Sequence, residues 1–114
     1  MFNKLSKEIY QGNVEAGWWP EKMYTPEGYA TKFALIHSET SEAFEGYRKD
    51  KKDDHLPHRL AVEVELADQM IRTLDLAGSL NLDLDGAIKE KRDYNKHRAD
   101  HKKENRESPG GKKF

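Results

Sequence analysis

Cysteine is absent from this chain of 114 residues, which removes disulfides, thiolate metal sites and a cysteine nucleophile together. An excess of either charge is absent too: 20 basic residues face 21 acidic ones, for a formal net charge of −1. That balance excludes the field of a nucleic-acid-binding surface and the composition of an acidic disordered chain. No nucleic-acid partner is expected. Long apolar runs are missing, since no stretch approaches the ~20 residues of a membrane span. The leading MFNKLSKEIYQ is amphipathic and lacks the apolar core of a signal peptide. The expectation is a cytoplasmic protein with no membrane partner. Hydrophobic residues are scarce as well, at 35%. One domain of this size buries only a modest core, and burying a second apolar face against another copy of the chain is the common remedy.

What the chain has is charge, 36% of its residues, arranged with helical periodicity and no sustained alternation. Leu5, Ile9 and Val14 mark a first helix over residues 3–16, with Gly17 as its stop. The Gly- and Pro-punctuated stretch GWWPEKMYTPEGYA then reads as irregular to about Ala30. A second helix is predicted from Tyr29 to Lys49, with Phe33, Ile36, Thr40, Ala43, Phe44 and Tyr47 as its core face. A polar loop follows. A third helix, from Leu60 to Leu80, has an apolar arc broad enough for several neighbours, although Glu63 falls inside that arc without an account. Asp83 or Asp85 can cap a fourth helix running to about Glu104. The fold class is therefore all-α, a four-helix protomer over residues 1–104 that oligomerises through helix packing. Residues 105–114 form a mobile tail in this reading.

Two acid pairs stand out. IHSETSE carries Glu39 and Glu42, and EVELAD carries Glu65 and Asp68, each pair at i, i+3 on one side of its helix. On the second helix Glu39 and Glu42 share a stripe with Leu35 and Gly46, beside the core face. On the third, Glu65 and Asp68 share one with Arg72 and Asp75. If the two helices pack antiparallel, four carboxylates converge. Like charges about 6 Å apart cost roughly 2–3 kcal/mol per pair at an effective dielectric near 20, so convergence asks for a cation. All-oxygen ligation suits Mg²⁺ or Mn²⁺. Two separate solvated faces are the alternative. A ferritin-like iron site is excluded, because no Glu precedes a His by three residues here.

Glu39-x-x-Glu42, 22 intervening residues (43–64) and Glu65-x-x-Asp68 resemble the paired acidic motifs of the MazG-like all-α nucleoside triphosphate pyrophosphohydrolases. Lys91-x-x-x-Asn95-x-x-Arg98 is similar to that family's phosphate-binding signature, and the early GWW adds to the likeness. The resemblance spans essentially the whole chain and is nearest to the short, single-domain members of phage and mobile elements. It implies a homodimer or homotetramer of four-helix protomers and Mg²⁺-dependent hydrolysis of an NTP, with a dNTP favoured, to the monophosphate and pyrophosphate. Mn²⁺ is a possible substitute. Nucleotide-pool control or housecleaning is the implied role. Glu39, Glu42, Glu65 and Asp68 carry over as metal ligands, with Glu39 or Glu42 orienting the attacking water. The loop GYRKDKKDDHLPH is more charged than in a compact member.

For substrate binding, Lys91, Asn95 and Arg98 at i, i+4, i+7 make a phosphate comb on helix four, which Lys102 would extend. Tyr10, Asn13 and Trp19 are candidates for a wall against the base, with a plug at the bundle end as the alternative for Trp19 and the preferred role for Trp18. Lys32 and His37 flank the first acidic motif and can face the nucleotide. His97 and His101 read as solvated. Two other functions compete with the enzyme: a non-enzymatic helical interaction module and a nucleotide-binding sensor.

Overall fold

The computed structural model describes residues 1–114, the side chain of Ala99 excepted. It is about 70% helical, with no strand among the described residues beyond an isolated bridge between Lys52 and Leu60. The all-α expectation is met. The helices are α1 (Phe2–Glu15), α2 (Pro26–Arg48), α3 (Ala61–Ser79), α4 (Leu84–His97) and α5 (Lys103–Arg106), with 3₁₀ turns at Glu21–Met23 and Ala99–His101. Among the described residues, no helix is long and apolar enough to cross a membrane. The chain divides into two units, Met1–Leu82 and Asp83–Phe114.

In the first unit α3 is the shared element, with both α2 and α1 packed against it. Two neighbours account for its broad apolar arc. Small residues set both crossings. At the α2–α3 end, a Cβ built on Gly46 would lie 2.9 Å from that of Ala61. At the α1–α3 crossing, a Cβ on Gly78 would lie 2.6 Å from the Cβ of Tyr10 and 2.7 Å from the Ser6 carbonyl oxygen. The buried Ser6 hydroxyl donates to the Leu74 carbonyl there, at 2.5 Å.

Local chemistry moves several boundaries. The second helix starts at Pro26, three residues before the predicted Tyr29. Thr25 Oγ1 accepts from the Gly28 amide at 3.1 Å, and Pro26 takes the first helical position, where its missing N–H is no loss. Glu63 gains its account at the start of α3, where its Oε1 accepts the Leu60 amide at 3.1 Å and its Oε2 meets Arg59 at 3.4 Å. It is an exposed capping residue, not a core one.

The predicted core face of α2 needs correction. Phe33 (52% exposed), Phe44 (64%) and Tyr47 (73%) lie outside, and Thr40 is exposed with them. The buried residues of α2 are Gly28, Glu39, Ala43 and Gly46. Helices that approach through glycine and alanine leave no room for aromatic rings, so the stripe carrying Glu39 turns inward. On α3, Leu66, Met70 and Ile71 are exposed as well.

The second unit also departs from the expectation. Asp83, rather than Asp85, caps α4, its Oδ1 accepting the Gly86 amide at 2.9 Å. The helix ends at His97 instead of running to Glu104. Arg98 is extended (φ −72°, ψ 126°), and its guanidinium grips Asp100 through two bonds of 3.0 and 2.7 Å. Beyond Tyr94 the sequence has no large apolar side chain until Phe114, so packing cannot carry a helix further. Within 105–114, Arg106 closes α5, and Lys112 reaches Asp100 at 2.9 Å.

The glycines give a paired prediction. Gly78→Ala should lower stability by about 1–3 kcal/mol, because the added methyl meets backbone and a neighbouring Cβ. Gly12→Ala, where nothing lies within 4 Å, should raise it by about 0.5–1 kcal/mol through helix propensity alone. Chemical denaturation of both variants checks the opposite signs.

Candidate metal centre

The antiparallel approach of α2 and α3 brings Glu39, Glu42 and Glu65 together, with one carboxylate oxygen of each within 4.8 Å of the others. Asp68 stands beside this triad. It lines, with Glu39, a cleft of about 390 Å³ whose walls include Asn13, Trp18, Lys32 and Arg72. The two acid pairs are therefore not separate solvated faces.

Each carboxylate has a different environment. Glu39 is only 7% exposed; its Oε1 accepts from Arg72 Nε at 2.8 Å, while its Oε2 is buried with no hydrogen-bond partner. Burial pushes the Glu39 carboxyl up, but Arg72, with the neighbouring Glu65 and Glu42, brings it below the usual glutamate range. Glu65 is half-buried, and its carboxyl is pushed up to about 7, first by burial and then by contact with Glu39 and Glu42 and their charge. Asp68 is raised by burial and by Glu39, with Arg72 opposing. Glu42 is exposed. The cluster relieves its own repulsion through the Arg72 guanidinium and a proton on Glu65.

A hard divalent cation fits this arrangement. The donors are all carboxylate oxygens, at positions that run from buried to exposed, and the buried Oε2 of Glu39 has no partner outside the acids. A carboxylate oxygen buried among other acids is unfavourable unless a proton on a neighbouring carboxyl or a cation meets it.

The other sequence candidates fall into place less evenly. Asn13 and Lys32 line the cleft. Lys32 is fastened there, its Nζ 3.3 Å from the Trp18 carbonyl oxygen and 4.3 Å from the centre of the Trp19 ring. Trp19 is buried, and its Nε1 donates to the buried Asp75 Oδ1 at 3.0 Å. Tyr10, Tyr24 and Tyr29 surround it with ring centres 5.4, 5.3 and 6.0 Å away. Trp19 thus plugs the first unit, and Trp18, 66% exposed, is the tryptophan on the cleft. Tyr10 shares a 2.5 Å hydroxyl–hydroxyl hydrogen bond with Tyr24 and packs edge-on against Trp19. His37 is exposed.

Lys91 and Asn95 lie on α4 in the second unit, but Arg98 lies past its end, so the three do not form one helical stripe. Lys91 sits 4.9 Å from the Tyr94 ring centre, and Asn95 Oδ1 is buried without a partner. His97 and His101 are both exposed, and the helix ends between them.

Sequence reasoning placed Arg72 on the acid stripe without giving it a role, and it passed over Asp53. Asp53 is buried in the α2–α3 loop, where Oδ2 accepts the amides of His55 and Leu56 at 2.9 and 2.7 Å, and its charge bears on Asp68. Its signal is an Asp two residues before His55, at the start of a turn that Pro57 punctuates.

The Glu65 environment has a pH signature. Its folded-state pKa of about 7 lies above the ordinary 4.5, so its contribution to stability is complete below about pH 4.5 and lost as pH rises through about 7. In chelator, the melting temperature of the wild type should fall across that window, and Glu65→Gln should flatten the fall. Thermal melts followed by circular dichroism at several pH values measure this.

A scan against family models, a search of the curated proteins and a search of the solved structures each gave no match to this chain.

Proposed function

We propose that the acids of α2 and α3 hold Mg²⁺, with Mn²⁺ as a substitute, and that the chain is a MazG-like nucleoside triphosphate pyrophosphohydrolase. It would convert a (d)NTP, by preference a dNTP, to the monophosphate and pyrophosphate, in nucleotide-pool control or housecleaning. The observation that carries this reading is Glu39: a carboxylate nine-tenths buried, one oxygen unpartnered, set against Glu42 and Glu65. Buried acids clustered without enough positive charge are unfavourable unless something cationic arrives.

Glu39, Glu42, Glu65 and Asp68 would form the ligand set. A bound divalent ion would offset the charge of the triphosphate and polarise its oxygens. Glu42 is the better candidate to orient the attacking water, because it is exposed while Glu39 is buried. The water oxygen bonds to the α-phosphorus, the bond from that phosphorus to the bridging oxygen breaks, and pyrophosphate leaves. The proton of the attacking water passes to the Glu42 carboxylate. Trp18 offers an exposed ring at the cleft for stacking on the base, and Asn13 offers hydrogen bonds beside it.

Assembly belongs to the same reading. Phe33, Phe44 and Tyr47 on α2 and Leu66 and Met70 on α3 expose large apolar surface. A second copy of the chain, forming a homodimer or homotetramer, is the proposed cover. That exposed surface also favours a second reading, a non-enzymatic helical interaction module, for which the acids would be incidental.

Two experiments decide. A panel of dNTPs and NTPs with Mg²⁺ or Mn²⁺ should release pyrophosphate from at least one nucleotide. Glu42→Gln should lose about 10²–10⁴-fold of that activity, and Asp68→Asn should also inactivate, with helicity kept in both. Release from none of them rejects the enzyme. Sedimentation should show a dimer or tetramer that Phe44→Asp shifts to monomer; a monomeric wild type rejects the assembly.

A further inference from the structure

We infer that Arg72 is a built-in counter-cation that holds the place of the metal on Glu39 and passes to the polyphosphate when the acids are filled. This rests on the metal reading of the acids and adds a residue to it. The guanidinium is not an ordinary surface partner. Its Nε bonds Glu39 Oε1 at 2.8 Å across the α2–α3 interface, joining a side chain 40% exposed to one only 10% exposed. It also lies one helical turn after Asp68 and lowers that carboxyl against burial and Glu39. Arg72 therefore serves two of the four acids, and it lines the cleft that a nucleotide would enter.

Charge bookkeeping gives the direction of exchange. With no metal bound, Glu39 needs Arg72, because an unpaired buried carboxylate is strongly unfavourable. Once the acids hold a divalent ion, Glu39 has a better partner, and a guanidinium beside that ion is repelled. The long, part-exposed side chain then turns from Glu39 toward the cleft. There a planar fork of donors matches phosphate oxygens in a way that a lysine does not. Ordered in this way, Arg72 makes metal and nucleotide binding cooperative, since vacating Glu39 is what frees it for the phosphates.

The test is calorimetric, using Mn²⁺ alone and then a non-hydrolysable α,β-imido dNTP with Mg²⁺, on the wild type, Arg72→Met and Arg72→Lys. Removing the competing guanidinium should tighten Mn²⁺ binding by roughly fivefold or more, while the nucleotide analogue binds about tenfold more weakly. Arg72→Lys, which retains charge but not the Nε bond, should move both affinities in the same opposed directions by less, and it carries the test if Arg72→Met fails to fold. Affinities that fall together indicate a purely structural Arg72 and overturn the inference, as does no change in either. A wild type that binds no Mn²⁺ overturns the metal reading itself, and the inference with it.

Discussion

One buried carboxylate organises the first unit. Glu39 lies between α2 and α3 where most helices place a leucine, and everything around it answers to that charge. Arg72 crosses the interface to meet one oxygen, and the Glu65 and Asp68 carboxyls are raised by burial and then by Glu39 beside them. Two helices brought together at this point by hydrophobic packing alone would separate again unless the charge were matched.

The inward turn of Glu39 also decides what faces out. A helix has one inner stripe, and on α2 it goes to Glu39, Ala43 and Gly46, with Phe33, Phe44 and Tyr47 displaced to the surface. The low hydrophobic content of the chain is therefore spent partly outside the protomer core. A site made of acids and an apolar outer face are two results of one rotation of α2 about its axis.

Much of this was legible in the sequence, for identifiable reasons. The four longer helices followed from long segments of strong periodicity, the four-residue α5 did not, and the acid pairs were visible because i, i+3 spacing survives any choice of neighbour. The orientation of α2 was not legible, because reading the most apolar stripe as the inner one ignores how closely two backbones approach through Gly46 and Ala61. Trp18 and Trp19 could not be told apart by type; only the bond from the Trp19 indole to Asp75, 56 residues away, separates them. The early end of α4 was hidden in a run of polar residues without period, where Arg98 prefers Asp100 to another helical turn. Thr25-Pro26 carries a cap signal that the surrounding glycines and prolines obscure.

The contact between Gly46 and Ala61 sits one helical turn from Glu42 on α2 and one turn from Glu65 on α3. It acts as the pin that sets the register of the two helices where the acids meet. Sliding α3 by a single residue would carry each acid about 1.5 Å along the axis and a quarter-turn around it, dispersing the triad. A residue with no side chain and no chemistry therefore stores the geometry of the site.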